Sequence, residues 1–272
     1  QIHTLEASLG APLFERIRGD VTLTVAGETL LPLAGRMVAD ADAAQVAVRD
    51  IVGLRRGEVR LGATPSLCSS LVPAVLRGFR AAHPDIQLYV TEGSSQDLSA
   101  DLLAHGLDLA LIVQPEHGVD PALEAVPILR ESLVVASVAD GPAPTANPQL
   151  ALTELRDKPL VMFRPGYDIR DVTLQACERA GFTPRFAVEG GEMDAVLAFV
   201  EAGLGVALVP SMVLVNRPLL RATPLAPPGM RRTIALTQRR RAVLPHAAEA
   251  LRASLLAHIG TGGALPLGVR AL

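Results

Sequence analysis

Hydroxyl side chains stand just past two apolar runs in the first half of this chain. Thr64-Pro65-Ser66 ends the run that opens with Val59, Leu61 and Ala63. Ser94 and Ser95, after Gly93, follow the β-rich run over residues 86–91. Such oxygens, with the backbone N–H groups of a following helix start, suit a small polar or anionic ligand. They do not suit covalent catalysis, because no nucleophile elbow, P-loop or zinc-ligand spacing accompanies them. The histidines are scattered: His83 precedes Pro84 in a turn, and His105 precedes Gly106 at a helix end. Gly203-Leu204-Gly205 lies between a helix and a strand, the reverse of the order that phosphate binding requires.

The elements that must position these groups alternate. After the first apolar run, a helical period passes through Leu67, Leu71, Val75 and Phe79 and ends at His83-Pro84-Asp85. A strand over 86–91, a helix over 94–103 and an apolar strand over 107–113 come next. Strand–helix alternation predicts a parallel sheet with helices on both faces, and ligands bind such sheets beyond the strand carboxyl ends. Residues 114–126 read as a loop, 127–129 and 132–138 as strands, and 140–148 as a turn-rich surface loop. A second α/β set then runs strand 159–163, helix 168–180, strand 185–188, helix 192–202 and strand 205–209. Residues 219–225 end that lobe, a strand over 233–237 returns to the first, and 245–259 form a last helix with Pro245 near its start. The tail, 261–272, has no periodicity and is expected to fray.

Two α/β lobes joined by crossing segments enclose a cleft. In the second lobe, Phe163 and Arg164 follow a strand, and Gly191, Met193 and Asp194 open a helix on the same side. Arg164 or Arg170 would pair with a ligand carboxylate in bidentate fashion. The rival reading is helix capping, the commoner role of a Ser or Asp at a helix start. Position by position capping is favoured, while four loops converging on one cleft favour a ligand site.

Composition narrows the classes further. The chain has 272 residues, nearly half of them hydrophobic, and a net charge of −3, which by itself points to no polyanion partner. Aromatics are few and Trp is absent, so stacking on nucleic acid bases or sugars has little support. Cys68 and Cys177 read as free, buried thiols of a reducing, cytoplasmic compartment, and no metal or cofactor is expected. No stretch is apolar enough to span a bilayer. The arginines after Asn216, including Arg231-Arg232 and Arg239-Arg240-Arg241, outnumber the single acid Glu249 and read as a solvated edge.

The first fifty residues carry a different signal. Ile2, Leu5 and Leu9 share a helical face that Gly10 and Pro12 end. Gly19-Asp20 sits between two β-prone runs as a hairpin bearing Arg16 and Arg18. From Thr24, a helix running to about Leu54 places Leu30, Ala34, Met37, Ala41, Ala44, Val48 and Ile51 at alternating four- and three-residue spacing, a seam for pairing with a second helix. Pro32 falls in its first part and should kink it or limit its first turns.

The run over 5–27, LEASLGAPLFERIRGDVTLTVAG, resembles the end of the DNA-binding domain of LysR-type transcriptional regulators, with matches at Leu5, Glu6, Leu9, Gly10, Leu13, Phe14, Arg16, Leu23, Thr24, Ala26 and Gly27. The resemblance continues through Gly62-Ala63-Thr64 to the run over 203–210. It implies the remnant of a winged helix-turn-helix over 1–24 and a dimerising linker helix over 25–57. It further implies a two-lobed effector domain like periplasmic binding proteins, with lobe I over 58–134 and 229–260, lobe II over 135–228, and a tail over 261–272. It implies double-stranded DNA, a small-molecule effector, a second or further copies of the chain as homodimer or homotetramer, and RNA polymerase as partners. By the resemblance, Gln1 and His3 lie late in the recognition helix, Arg16 and Arg18 lie in the wing near phosphates, and Thr64, Ser66, Ser94 and Ser95 face the effector. Asp20 departs from the basic residue common in that wing. Because the recognition helix would begin before Gln1, weak or no specific DNA binding is expected of this chain. The expected function is a non-enzymatic transcriptional regulator sensing a small, anionic organic ligand. The alternative is a solute-binding or transport receptor of the same fold, which would have no use for the wing or the heptad helix.

Overall fold

Glu6 ties the first helix to the hairpin behind it. In the computed structural model, which describes residues 2–17, 20–51, 57–115, 118–260, 265 and 268–272, α1 is Ile2–Leu9. The Glu6 carboxylate accepts the backbone N–H groups of Leu13 (2.8 Å) and Phe14 (3.4 Å). Those two hydrogen bonds, Leu13 first, hold the Glu6 carboxyl below its ordinary range. Phe14 opens β1 (Phe14–Ile17), which pairs antiparallel with β2 (Asp20–Leu23). Thr24 then donates its hydroxyl to Pro12 O (2.6 Å) and accepts the Gly27 N–H (3.1 Å), capping α2 (Val25–Ile51). A Cβ on Gly27 would lie 2.2 Å from Leu13 O, so only glycine lets the long helix sit on this turn. The spacing of Glu6, Leu13, Thr24 and Gly27 is therefore one hydrogen-bonded unit. α2 runs through Pro32 without ending there, and residues 52–56, where its end was expected, lie outside the described residues.

The first lobe is built on β3 (Glu58–Ala63), the short α3 (Pro65–Cys68), α4 (Leu71–Ala82), β4 (Gln87–Glu92), α5 (Ser95–Leu103) and β5 (Leu109–Val113). β3 pairs in parallel with both β4 and β5. The single helix expected after β3 is broken into two. Ser69 and Ser70 direct their hydroxyls back to the carbonyls of Pro65 and Ser66, and such side-chain bonds compete with a continuing helix.

A 16-residue strand, β6 (Leu123–Val138), joins the lobes. It replaces the expected pair of short strands and takes in the end of the expected 114–126 loop. The interruption implied by Pro127 is a local register shift. Ile234 pairs with Leu129 and Ala235 with Pro127, so Ile128 is the extra residue and the proline, lacking an N–H, sits at the bulge.

The second lobe comprises β7 (Pro159–Met162), α6 (Asp168–Arg179), β8 (Arg185–Glu189), α7 (Met193–Glu201), β9 (Ala207–Pro210) and β10 (Leu220–Pro224). Single-turn 3-10 helices at Leu152–Leu155 and Ser211–Leu214 have no signal in the apolar periodicity. β11 (Arg231–Arg239) returns to the first lobe, and α8 (His246–Gly260) packs on it. The tail is not wholly frayed: β12 (Val269–Ala271) pairs with β6, while residues 261–264, 266 and 267 lie outside the described residues.

The large sheet runs β10-β6-β11-β5-β3-β4, with β9 and β12 also on β6. Residues 123–132 of β6 pair with β11, whereas 133–138 pair with β9 and β10, so one strand serves both lobes. Leu61, Phe79, Leu111 and Leu251 pack on one face of the first lobe's sheet, and Leu98, Leu102 and Ile112 on the other. In the second lobe Phe163, Val196 and Val209 form one core, and Leu160, Cys177 and Leu208 another. Among the described residues no helix is long and apolar enough to cross a membrane.

Candidate functional site

Beyond the carboxyl ends of β3, β4 and β5, the two lobes face each other across a small cavity. Thr64, Pro65, Ser66, Gly93, Ser94 and Val113 form the first lobe's side, and Tyr167, Asp168 and Ile169, at the start of α6, form the second lobe's side. Arg232, from the returning strand β11, completes it. The space between these residues is about 20 Å³, room for about one water.

The hydroxyls differ in what occupies them. Ser94 accepts the Asp97 N–H (3.1 Å) and donates to Asp97 Oδ2 (2.7 Å), so helix capping explains it. Thr64, at the cap position of α3, makes no cap hydrogen bond. Its Oγ1 lies 3.4 Å from Ser66 Oγ, and both side chains are buried. Ser66 Oγ accepts an Arg232 Nη2 hydrogen (2.9 Å), and Arg232 also bonds Glu131 Oε2 through Nε (2.9 Å). Glu131 is fully buried, and its other oxygen accepts the Met212 N–H (2.8 Å). A buried carboxylate thus holds the guanidinium in place and neutralises it.

The lobes are joined directly by Ser95. Its Oγ accepts the Val113 N–H (3.1 Å) and donates to Asp168 Oδ2 (2.8 Å) across the cleft. Beside that bond, Tyr167 stacks on Phe163 with ring centroids 4.9 Å apart and planes 4° from parallel. The Tyr167 hydroxyl is buried without a hydrogen-bond partner among the described residues. Burial, then the Glu192 carboxylate, pushes its pKa far above the phenol value. It stays a neutral donor.

Carboxylates gather around Glu92. Burial, then the facing carboxylates of Glu192 and Asp194, raises the Glu92 carboxyl. Arg164 pairs with Glu192 (2.8 Å) and lies over Tyr167, and Arg170 pairs with Glu189 (2.8 Å) and donates to Phe163 O (2.8 Å). Asp194 pairs with Arg217.

Of the residues expected at the site, the structure brings Thr64, Pro65, Ser66 and Ser94 into the cavity wall, with Ser95 behind it. Phe163 supports Tyr167 from the core. Arg164 and Asp194 are held in ion pairs and are not among the lining residues, Met193 is buried at the start of α7, and Gly191 packs near Ala195. Sequence reasoning missed Val113, Tyr167, Asp168, Ile169 and Arg232. It placed Arg232 on a solvated edge. That is corrected by strand alternation: a β11 side chain next to an outward Arg231 points inward, a signal present in the sequence. At the other end, His3 is exposed and 3.2 Å from Glu6. Gln1, Arg18 and the Arg16 side chain lie outside the described residues. On α2, Leu30 and Ala34 are half-buried, Met37 and Ala41 are exposed, and the side chains of Ala44, Val48 and Ile51 lie outside the described residues.

The profile described as the LysR substrate binding domain matches residues 53–260. The transcriptional dual regulator GltC of Bacillus subtilis is 30% identical over 77% of this chain and 69% of its own length. The chain belongs to the LysR family. A second LysR-like relative, a probable hydrogen peroxide-inducible genes activator of Mycobacterium avium, is 34% identical over 76% of this chain and 66% of its own length. A solved full-length OxyR variant from Pseudomonas aeruginosa superposes with a TM-score of 0.73 at 25% identity, covering 93% of this chain and 83% of that one. The chain spans about two thirds of the length of its curated relatives. This LysR chain has the family's two-lobed effector fold, and its relatives are transcriptional regulators rather than transport receptors.

Proposed function

We propose that the whole protein is a DNA-binding transcriptional regulator whose interlobe cleft holds a small polar organic effector. The observation that carries the reading is the buried Tyr167 hydroxyl, without a hydrogen-bond partner among the described residues. It lies on one cavity between lobes with the Thr64 and Ser66 hydroxyls, which cap no helix and still hold one hydrogen to donate between them. Buried polar groups are otherwise almost always satisfied, so the Tyr167 hydroxyl fits a ligand's acceptor. Arg232 is neutralised by Glu131, and Asp168 adds a carboxylate. An anionic group therefore gains less here than the sequence suggests, and the lining suits a ligand with acceptors toward Ser66 and Tyr167 and a donor toward Asp168. Binding would change the lobe arrangement, because the Ser95–Asp168 bond spans it, and only differential affinity for two arrangements couples a ligand to DNA.

The lobe boundaries expected from the sequence fit the change of partners along β6, and α2, with exposed Met37 and Val38, would pair with a second copy. His3, Arg16 and Arg18 would lie toward DNA phosphates, in a cytoplasmic protein that performs no catalysis. Peroxide sensing by thiols does not suit this member. Burial, then Glu92, pushes the Cys68 thiol up to about 11, and burial raises fully enclosed Cys177, whereas reactive thiols are ionised and accessible.

The test is a thermal-shift screen of small carboxylates, amino acids and aromatic acids on the native chain, with Thr64→Ala and Ser66→Ala beside it. A cleft ligand at about 100 times its dissociation constant adds roughly 2.7 kcal/mol, and both variants should lose that gain. A shift retained in both variants refutes the cleft as the site.

A further inference from the structure

On the outer face of the first lobe's sheet, three strands bring three arginines together. Arg130 of β6 lies directly opposite Arg270 of β12, and Ser132, two residues along β6 on the same face, lies opposite Arg231 of β11. Side chains alternate along a strand, so Glu131 and Arg232 turn the other way, into the buried pair beneath the cleft. None of the three outward guanidinium groups has a carboxylate partner among the described residues. Residues 261–267, which lead into β12, contain no acid at all. Like charges directly opposite one another destabilise a strand pair, so this arrangement is unfavourable until an anion joins it.

The arginines surround a cavity of about 230 Å³, walled also by Ser132 and Gly268. Gly268 has φ +87°, and a Cβ there would come within 3.0 Å of Ser211 Oγ and 3.4 Å of Ser132 Cβ. Ser211 Oγ is buried without a hydrogen-bond partner among the described residues. A glycine backbone thus lies over a buried hydroxyl at the wall of a cationic cavity.

We propose that this cavity is a second ligand site, separate from the interlobe cleft, that binds a phosphate group, free or carried as a small phosphomonoester. Such a group offers about −1.5 to −2 charges and three acceptor oxygens, which three planar guanidinium forks and the Ser132 hydroxyl can share. The cavity's size fits a small headgroup, below the volume range usual for drug-sized ligands.

The experiment is a thermal-shift titration of the full chain with sodium phosphate and with glycerol 3-phosphate, at ionic strength held constant with sodium chloride, with succinate as the carboxylate control. Native-state circular dichroism of each variant checks folding. Both phosphates should raise Tm. Arg130→Gln and Arg231→Gln should each weaken the apparent affinity by roughly tenfold, the loss of one charged hydrogen-bond partner, and the double variant should abolish the shift. Arg185→Gln, an exposed arginine on β8, and the cleft variant Thr64→Ala should leave it intact. Tighter binding of the ester assigns a phosphomonoester, and tighter binding of inorganic phosphate assigns the free ion. No shift beyond sodium chloride, an equal response to succinate, or an unchanged shift in the double variant overturns the proposal.

Discussion

The two walls of the cleft are held by different physics. The first lobe's wall is electrostatic: Ser66 is fixed by Arg232, Arg232 by buried Glu131, and Glu131 by the Met212 N–H. The second lobe's wall is an aromatic stack, Tyr167 on Phe163, backed by the apolar core of α7 and β9. A buried ion pair contributes little net stability against an apolar replacement, but breaking it is costly because one charge is left behind. An aromatic stack loses its geometry gradually. The first wall is therefore rigid and intolerant, and the second is the side able to adjust to a ligand.

The difference can be broken most sharply at Glu131. Glu131→Ala strands the Arg232 charge and the Met212 N–H, and urea unfolding should show a loss of about 3–5 kcal/mol. In the other wall, Phe163→Leu keeps most of the apolar volume and removes the stack, so about 1 kcal/mol should be lost in the same measurement. Comparable losses at both positions would erase the distinction. Ser95→Ala removes the hydrogen bond to Asp168 across the cleft, and hydrogen exchange at the start of α6 should speed up while the cores of both lobes stay protected.

A smaller effect sits at Glu92. The Glu92 carboxyl is raised by burial and by the facing carboxylates Glu192 and Asp194. The folded state therefore binds its proton more tightly than the unfolded chain. Its favourable contribution is complete below the ordinary glutamate value and is lost as pH rises through the raised one. Glu92→Gln should raise Tm at pH 7 more than at pH 4, and an equal change at both would remove the interlobe repulsion from the account. The smallest effect is expected at the thiols. Mass spectrometry after a brief exposure to dilute peroxide should find Cys68 and Cys177 unmodified in the folded chain, and rapid sulfenic acid formation at either would contradict their raised pKa values.

How much of this was legible in the sequence depended on the range of the interaction. Local patterns carried well: Ser94 as a cap, the helix start at Asp168 and the long helix after Thr24 are all set within a few residues. The broken helix at Ser69-Ser70 was hidden by an apolar period that continues across it. β6 was hidden because Pro127 reads as a terminator, whereas a bulge set by β11, about a hundred residues later, absorbs it. Tyr167 and Arg232 were missed for a related reason. One aromatic before a helix and one arginine in a basic run are ambiguous until the partners Phe163 and Glu131 are in place. The β12 strand is too short, and its neighbours too polar or small, for any period to announce it.

The central claim is that the cleft is a ligand site completed by the second lobe, and the Tyr167 hydroxyl isolates it. A compound that raises the melting temperature in the screen should be titrated calorimetrically into the native chain and into Tyr167→Phe, which keeps the ring and its stack. The account predicts binding weakened by roughly five- to tenfold, the loss of one hydrogen bond, with unliganded stability unchanged or slightly raised. Equal affinity in the two proteins would contradict it and place the ligand elsewhere.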